Sequence, residues 1–267
     1  MRGLSSVYPK LRNYWYARSP RTTGNERLRV YKSSVMTDYD TIADPTQPLA
    51  VLVSGGIDSA ILLAESCRLH PAVYPLYVRF GLSWEEVEQA HLARFLMRIA
   101  CHALRPLVRL EMPVGDIYGD HWSLTARGVP DADSPDEAVF LPGRNVLFLS
   151  KALVWCHLHD VPAVAMAQLG SNPFPDATPE FFADYAAIVN HAIGGAVRVV
   201  QPYALLHKAE VMKRGAGLSL EWTFSCIRPI DGRHCGACNK CAERQRGFRE
   251  IAMPDPTPYG RRQPCSA

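Results

Sequence analysis

The sequence lacks several features that would assign it to a common class of protein. It has no run of about 18 apolar residues, so no membrane-spanning helix is predicted. No apolar segment follows the N-terminal basic residues, so no secretory signal is predicted, and the cysteine usage described below favours a reducing cytoplasm. The Gly-x-x-x-x-Gly-Lys-Ser/Thr phosphate loop of kinases and GTPases is also absent, which argues against that type of phosphoryl transfer.

Neither sign of charge is in large excess, because the 267 residues carry a formal net charge of +3. Eight basic residues nevertheless fall within residues 1–35, beside one acidic residue, and give this segment a net charge of +7. The remainder is net negative, so no stable binding to nucleic acid is expected of it. Residues 1–45 show no periodicity and are expected to form a basic, disordered extension. A transit peptide, an RNA-binding arm and a true start at Met36 are the alternatives.

The eight cysteines do not resemble a disulfide framework, because half of them cluster at metal-ligand spacing. The clustered cysteines are Cys226, Cys235, Cys238 and Cys241. Four thiolates in a polar, glycine-bearing segment suit a tetrahedral Zn²⁺ ion, although an iron–sulfur cluster uses the same ligands. Cys67, Cys101 and Cys156 lie in apolar stretches and are expected to be small core residues.

The most informative segment is Ser54-Gly55-Gly56-Ile57-Asp58-Ser59. It follows the apolar run 49–53, which predicts a buried strand, and precedes residues 60–65, which predict the start of a helix. Two glycines at such a turn let a phosphate approach the backbone closely, and the helix N-terminus supplies free N–H donors. Asp58 would repel a bare phosphate and therefore implies a cation such as Mg²⁺ between them.

Strands and helices alternate along residues 46–222. The predicted strands cover 49–53, 73–78, 107–110, 163–167 and 196–200. The later predicted helices cover 84–101, 145–159 and 179–191, and the segments 112–142 and 168–178 are predicted loops. This alternation predicts an α/β fold with a Rossmann-like, doubly wound parallel sheet. A small C-terminal zinc-binding region with a helix, 223–252, and a tail, 253–267, complete the predicted organisation.

The Ser54–Ser59 segment resembles the pyrophosphate loop, or PP-loop, of the N-type ATP pyrophosphatases, which split ATP to AMP and pyrophosphate. Three further segments narrow the resemblance: 141–150, with Pro142-Gly143-Arg144-Asn145; 172–181; and the cysteine segment followed by Glu243-Arg244. Together they are similar to the 7-cyano-7-deazaguanine synthase family of queuosine precursor biosynthesis, over residues 48–252. The resemblance implies an adenine nucleotide alpha hydrolase-like form of the predicted fold.

This resemblance also implies an ATP-dependent carbon–nitrogen ligase. Such an enzyme converts 7-carboxy-7-deazaguanine and ammonia to 7-cyano-7-deazaguanine through adenylated intermediates, with ATP, Mg²⁺ and structural Zn²⁺ as cofactors. The implied nucleotide-binding residues are Leu52, Val53, Ser54, Gly55, Gly56, Ile57, Asp58, Ser59, Ala60, Gly143, Arg144 and Asn145. The implied catalytic residues are Asp58, Ser59, Arg144 and Lys208, and the implied substrate-binding residues are Asp176 and Glu180. A homodimer is compatible with this family.

Two departures from the family pattern leave the substrate open. Phe80-Gly81-Leu82 stands where members typically carry Tyr-Gly-Gln, and Ala177-Thr178 stands where they carry Cys-Arg. A paralogue that acts on a different carboxylic acid, or attaches the deazapurine to another acceptor, is therefore an alternative. A tRNA-modifying PP-loop enzyme and a zinc module that only binds nucleotide are further alternatives.

Overall fold

A computed structural model describes residues 43–260, and the predictions for the segments before and after them lie outside the described residues. Five parallel strands form one sheet in the order β3-β2-β1-β4-β5. The strands are β1 (Leu49–Leu52), β2 (Val73–Arg79), β3 (Val108–Glu111), β4 (Ala163–Ala165) and β5 (Arg198–Val200). The predicted doubly wound parallel sheet is confirmed.

Eight α-helices accompany the sheet in this part of the chain. They are α1 (Ile57–Leu69), α2 (Glu85–Arg98), α3 (Gly115–Tyr118), α4 (Trp122–Thr125), α5 (Arg144–Leu158), α6 (Pro179–Ile193), α7 (Lys208–Arg214) and α8 (Asn239–Glu250). Short 3₁₀ turns occur at Asp136–Val139, Pro175–Ala177 and Leu220–Trp222. Within residues 43–260, none of the helices has the length and apolar character needed to cross a bilayer.

The central strand β1 is apolar on both faces because helices cover both sides of the sheet. Leu49 and Val51 point to one side and belong to the core that contains Ile61 of α1. Ala50 points to the other side, since side chains alternate along a strand, and belongs to the core that contains Leu153 of α5. This two-sided burial explains why the run reads as continuously apolar in the sequence.

Parallel strands place their carboxyl ends at one edge of the sheet, where the loops after β1, β2 and β4 meet. Strand β1 pairs with β2 on one side and with β4 on the other. Successive strands are therefore added to one edge of the sheet up to β3 and to the opposite edge from β4 onwards, and the switch point lies between β1 and β4. Ligands bind at this kind of switch point in open α/β sheets. The loops at this edge are therefore the expected place for a binding site.

Several local predictions differ from the structure. The segment 112–142 is not one extended loop, because it contains α3, α4 and a 3₁₀ turn and buries Val114 and Ser123 completely. Strands β4 and β5 have three residues each, fewer than predicted. Cys101 is exposed rather than part of the core, because it follows the end of α2 at Arg98.

The segment 253–260, predicted as a tail, packs against the cysteine region. The Gly260 N–H donates to the carbonyl of His234 at 2.7 Å. The Thr257 hydroxyl accepts a hydrogen bond from Arg244 Nε at 2.6 Å. Residues up to 260 therefore belong to the same folded unit as the predicted zinc region.

Candidate active site and zinc site

The PP-loop connects β1 to α1 and is held by short hydrogen bonds between its own residues. Gly55 adopts a φ of +72°, a conformation that glycine tolerates and other residues disfavour. The Ser59 hydroxyl accepts from the Ser54 N–H at 3.2 Å and donates to the Gly56 carbonyl at 3.1 Å. Gly56 is the N-cap of α1 and provides no side-chain cap, so the first N–H groups of this helix stay available to an anion.

A cavity of about 250 Å³ opens beside this loop at the switch point of the sheet. Several residues predicted for the site line it: Leu52, Val53, Ser54, Gly56, Asp58, Ser59, Arg144, Asn145 and Asp176. Its walls include the aromatic residues Phe140, Phe148 and Phe174. The structure therefore brings the PP-loop, the start of α5 and the loop after β4 to one site.

Other residues predicted for the site do not line this cavity. Ile57 and Ala60 are buried in the helix interior behind the loop, each 2% exposed. Gly143 is the N-cap of α5, with a φ of +75°. Glu180 is exposed in the first turn of α6, so its contact with substrate stays a prediction.

Arg144 is the first residue of α5 and lies beside two aromatic rings that pack on each other. Its guanidinium carbon is 5.9 Å from the ring centre of Phe80 and 5.4 Å from that of Phe148. Its Nε is buried and has no hydrogen-bond partner among residues 43–260. A buried donor without a partner is costly, so the site is suited to an anionic ligand at this position.

Asp176 and Asn145 form one polar unit across the cavity wall. The Asp176 carboxylate accepts from the Asn145 backbone N–H at 3.2 Å and from its side-chain amide at 3.3 Å. The same amide also donates to the Asp176 carbonyl at 2.7 Å. Burial raises the pKa of Asp176, and although these hydrogen bonds lower it, the effect of burial is larger. Asp176 thereby fixes the first turn of α5, which carries Arg144.

Lys208 lies behind the PP-loop, in a chain of charges that reaches α8. Its ammonium contacts the Asp58 carboxylate at 2.6 Å and that of Glu243 at 3.4 Å, and Glu243 also contacts Lys240 at 2.7 Å. Burial alone would lower the pKa of Lys208, but the two carboxylates outweigh it and raise this pKa. Burial alone would raise the pKa of Glu243, but the two lysines bring it to about 2.

Asp58 has one oxygen left for another ligand. Lys208 occupies Oδ2, while Oδ1 is buried and without a partner among the described residues. A carboxylate oxygen beside a phosphate-binding loop is a donor that suits Mg²⁺. The residues present therefore fit the predicted cation.

Three ionisable residues of the cavity were missed by the sequence analysis: Tyr77, Glu85 and Glu88. Glu88 is 7% exposed, and burial raises its pKa to about 8. Tyr77 at the end of β2 donates to its carboxyl at 2.6 Å, and burial raises the pKa of Tyr77 as well. The two glutamates could have been found from their place in the sequence. Residues 85 and 88 lie on one face of a helix, and this helix directly follows a strand that ends at the site.

The four clustered cysteines converge as predicted. Their Sγ atoms all lie within 4.8 Å of one another, and all four residues are buried. The Cys226–Cys238 and Cys235–Cys241 sulfur pairs are 3.8 and 3.9 Å apart. A tetrahedral Zn²⁺ ion with Zn–S bonds of about 2.3 Å requires sulfur separations of about 3.8 Å. The geometry therefore fits a closed, four-thiolate zinc site.

The cysteine region also contacts the PP-loop directly. The N–H of Phe224, two residues before Cys226, donates to the Gly55 carbonyl at 2.7 Å. Arg244 of α8 is 1% exposed and donates to Thr223 at 2.8 Å and to the Leu220 carbonyl at 2.8 Å. These bonds fix the segment that supports the loop.

Comparisons with known proteins agree with this arrangement. A model of the family "Queuosine biosynthesis protein QueC" matches residues 49–252. A 7-cyano-7-deazaguanine synthase of Solidesulfovibrio magneticus is 32% identical over 235 residues, which are 81% of this chain and 97% of the relative. A synthase of the same name from Frankia casuarinae is 33% identical over 227 residues, covering 80% and 94%.

One solved structure with a similar fold is a more distant match. A 4-thiouridine synthetase in complex with RNA and ATP has a TM-score of 0.42 at 13% identity, over 77% of this chain and 50% of that one. A likeness at this level supports no inference about function.

Proposed function

The chain belongs to the QueC family of queuosine biosynthesis proteins, and on this premise we propose that it is an ATP-dependent carbon–nitrogen ligase. Its product is 7-cyano-7-deazaguanine, a precursor of queuosine, as the names of its relatives indicate. Its proposed substrates are 7-carboxy-7-deazaguanine, ammonia and ATP.

The proposed reaction uses ATP twice, because neither a carboxylate nor an amide has a good leaving group. In the first half, the substrate carboxylate attacks the α-phosphorus of ATP and pyrophosphate leaves. Ammonia then displaces AMP from the acyl carbon and forms the amide. In the second half, the amide oxygen attacks the α-phosphorus of a second ATP and pyrophosphate leaves. Loss of AMP, together with the two protons on nitrogen, then gives the nitrile.

One observation carries this proposal: the PP-loop, Arg144 and a set of aromatic walls line the same cavity. The loop suits the pyrophosphate that leaves, and the aromatic walls suit a planar ring system. Arg144 contacts one of the aromatic walls, Phe148, and its buried Nε has no hydrogen-bond partner among residues 43–260. In the proposed reaction it binds the carboxylate or the α-phosphate by forked hydrogen bonds.

The remaining predicted residues act by positioning and by neutralising charge. Ser54 and Ser59 supply hydroxyl groups to the pyrophosphate, and Lys208 holds Asp58 in place beside it. Mg²⁺, when bound through Asp58, would neutralise phosphate charge. Zn²⁺ held by the four cysteines would stabilise the segment that supports the PP-loop and would take no part in the chemistry.

ATP–pyrophosphate exchange across a panel of carboxylic acids tests this proposal. Exchange is expected with 7-carboxy-7-deazaguanine and not with 7-deazaguanine, which lacks the reacting carboxylate and is the matched control. Addition of ammonium should give the nitrile, detected by mass, with two AMP formed for each nitrile.

Other outcomes of this experiment would favour the alternatives. Exchange with a different acid alone would favour a paralogue with another substrate. Exchange with 7-carboxy-7-deazaguanine but no nitrile would favour transfer of the deazapurine to another acceptor. A stable complex with tRNA in a gel-shift assay would favour the tRNA-modifying reading. A cytoplasmic location and a homodimer stay predictions.

A further inference from the structure

Four carboxyl groups line the cavity. Two of them have both oxygens in the protein's own hydrogen bonds, and Asp58 has one oxygen paired with a lysine and the other left for the predicted cation. Asp58 pairs with Lys208 at 2.6 Å. Both oxygens of Glu85 accept backbone N–H groups, from Phe80 at 2.6 Å and from Gly81 at 2.9 Å. Both oxygens of Asp176 accept from Asn145. These three acids shape the loop, the turn after β2 and the start of α5.

Within residues 43–260, Glu88 is the one of the four that has neither an ion pair nor hydrogen bonds to both oxygens. Among the described residues, its carboxyl has one hydrogen-bond partner, the Tyr77 hydroxyl on Oε2. Its Oε1 is therefore left for a ligand in the cavity that Glu88 and Tyr77 both line. Sequence alone does not distinguish Glu88 from Glu85, since both lie in the same helix face, and only the contacts separate them.

Glu88 lies at the end of the cavity that the PP-loop forms, where the reaction is proposed to occur. A Cβ atom added at Gly55 would lie 2.9 Å from Glu88 Cγ, so this side chain packs directly on the PP-loop. Pyrophosphate leaves from that loop in the proposed reaction, and the α-phosphate and the reacting carbon are bonded next to it. Glu88 therefore lies nearer to the bonds that change than to the far end of a bound ring.

The proposed reaction releases a proton from nitrogen three times. When ammonia displaces AMP, the carbon–nitrogen bond forms, the carbon–oxygen bond breaks and nitrogen loses one proton. When the amide oxygen bonds to phosphorus, pyrophosphate leaves and nitrogen loses a second proton. When AMP leaves with its electron pair, the third proton is lost and the carbon–nitrogen triple bond forms. Each release needs an acceptor close to the same nitrogen.

We propose that Glu88 is this acceptor, a catalytic base whose carboxylate takes the protons from nitrogen and passes them to solvent through the mouth of the cavity. The inference rests on the proposed function. Tyr77 is its positioning residue, because the hydroxyl fixes one carboxylate oxygen and directs the other to the ligand. Burial gives Glu88 a pKa of about 8, near the pH at which an intracellular base works best.

Glu88→Gln tests the proposal, because the amide keeps the hydrogen bond from Tyr77 and cannot take up a proton. The first adenylation involves no N–H bond, so ATP–pyrophosphate exchange with 7-carboxy-7-deazaguanine should stay within about threefold of wild type. Amide and nitrile formation should fall by about 100-fold or more, as loss of a general base typically does. Glu86→Gln is the matched control, since Glu86 lies on the exposed side of the same helix and pairs with Arg79.

A second measurement uses the unaltered protein. Starting from the amide, the rate of nitrile formation should rise with pH, with a midpoint near pH 8 and a plateau above it, whereas the exchange reaction with the acid should not show this rise. In Tyr77→Phe the midpoint of the rise should move, as expected of a positioning residue.

Two results would overturn the inference. Unchanged nitrile formation in Glu88→Gln would show that no proton passes through this residue. A parallel fall in exchange and nitrile formation would assign Glu88 to substrate binding or to stability. Failure of the wild-type protein to show any exchange with the acid is a separate outcome, which rejects the proposed function and the inference together.

Discussion

Burial of Glu88 has a consequence for stability that can be measured without substrate. In the unfolded chain, Glu88 releases its proton near the ordinary glutamate pKa of 4.5, whereas in the folded protein Glu88 keeps this proton up to about pH 8. A pKa raised by folding means that the stabilisation is complete below pH 4.5 and is lost as pH rises through the folded value. Wild type should therefore lose stability with rising pH, relative to a Glu88→Gln variant that carries no ionisable group at this position.

The size of this effect follows from the two pKa values, 4.5 and about 8. One pKa unit corresponds to about 1.36 kcal/mol, so between pH 6 and pH 9 wild type should lose about 3 kcal/mol relative to the variant. Most of the loss should occur below pH 8, because above it both the folded and the unfolded state have released the proton.

Urea unfolding at pH 6, 7, 8 and 9, followed by tryptophan fluorescence, measures this difference as a free energy of unfolding. Glu86→Gln should follow wild type at every pH, since that side chain is exposed. A difference between wild type and Glu88→Gln that does not change with pH would refute the reasoning. It would mean that Glu88 ionises in the folded protein as it does in water.

Three further predictions concern the other residues of the site. Cys238→Ser should abolish the binding of one zinc per chain, measured by elemental analysis. It should also lower the melting temperature by about 10 °C or more, because structural zinc contributes several kcal/mol to the free energy of unfolding. An unchanged metal content would contradict the zinc site. Arg144→Lys should lower exchange with every acid tested by about 10-fold or more, since lysine cannot make forked hydrogen bonds, and an undiminished rate would exclude that contact. Asp58→Asn should reduce AMP formation by about 100-fold while circular dichroism stays unchanged, and normal turnover would contradict its proposed role.

The sequence predicts the parts of the site that depend on local signals. The PP-loop is contiguous and flanked by an apolar strand and a helix, and the cysteines are close in sequence. Their arrangement is therefore readable from spacing alone. The parallel sheet follows in the same way from the alternation of strands and helices.

The parts that were missed depend on contacts between distant segments. Glu88 looks like an ordinary surface residue of an amphipathic helix until Tyr77 and Gly55 are placed against it. Asp176 was predicted as a substrate ligand, and its hydrogen bonds to Asn145 become visible only when two segments 31 residues apart are brought together. The packing of residues 253–260 carries no periodic signal, since it depends on single hydrogen bonds such as that of Thr257.

The hydrogen bond from Phe224 to Gly55 has a consequence for synthesis on the ribosome. The PP-loop is translated early, yet one of its carbonyl groups finds its partner only after about 170 further residues have been made. The segment that carries Phe224 is in turn fixed by Arg244, which needs Thr257. A nascent chain can therefore form the central strands long before its nucleotide site is complete. A ribosome stalled shortly before Phe224 should hold folded central strands that do not yet support the proposed ATP–pyrophosphate exchange.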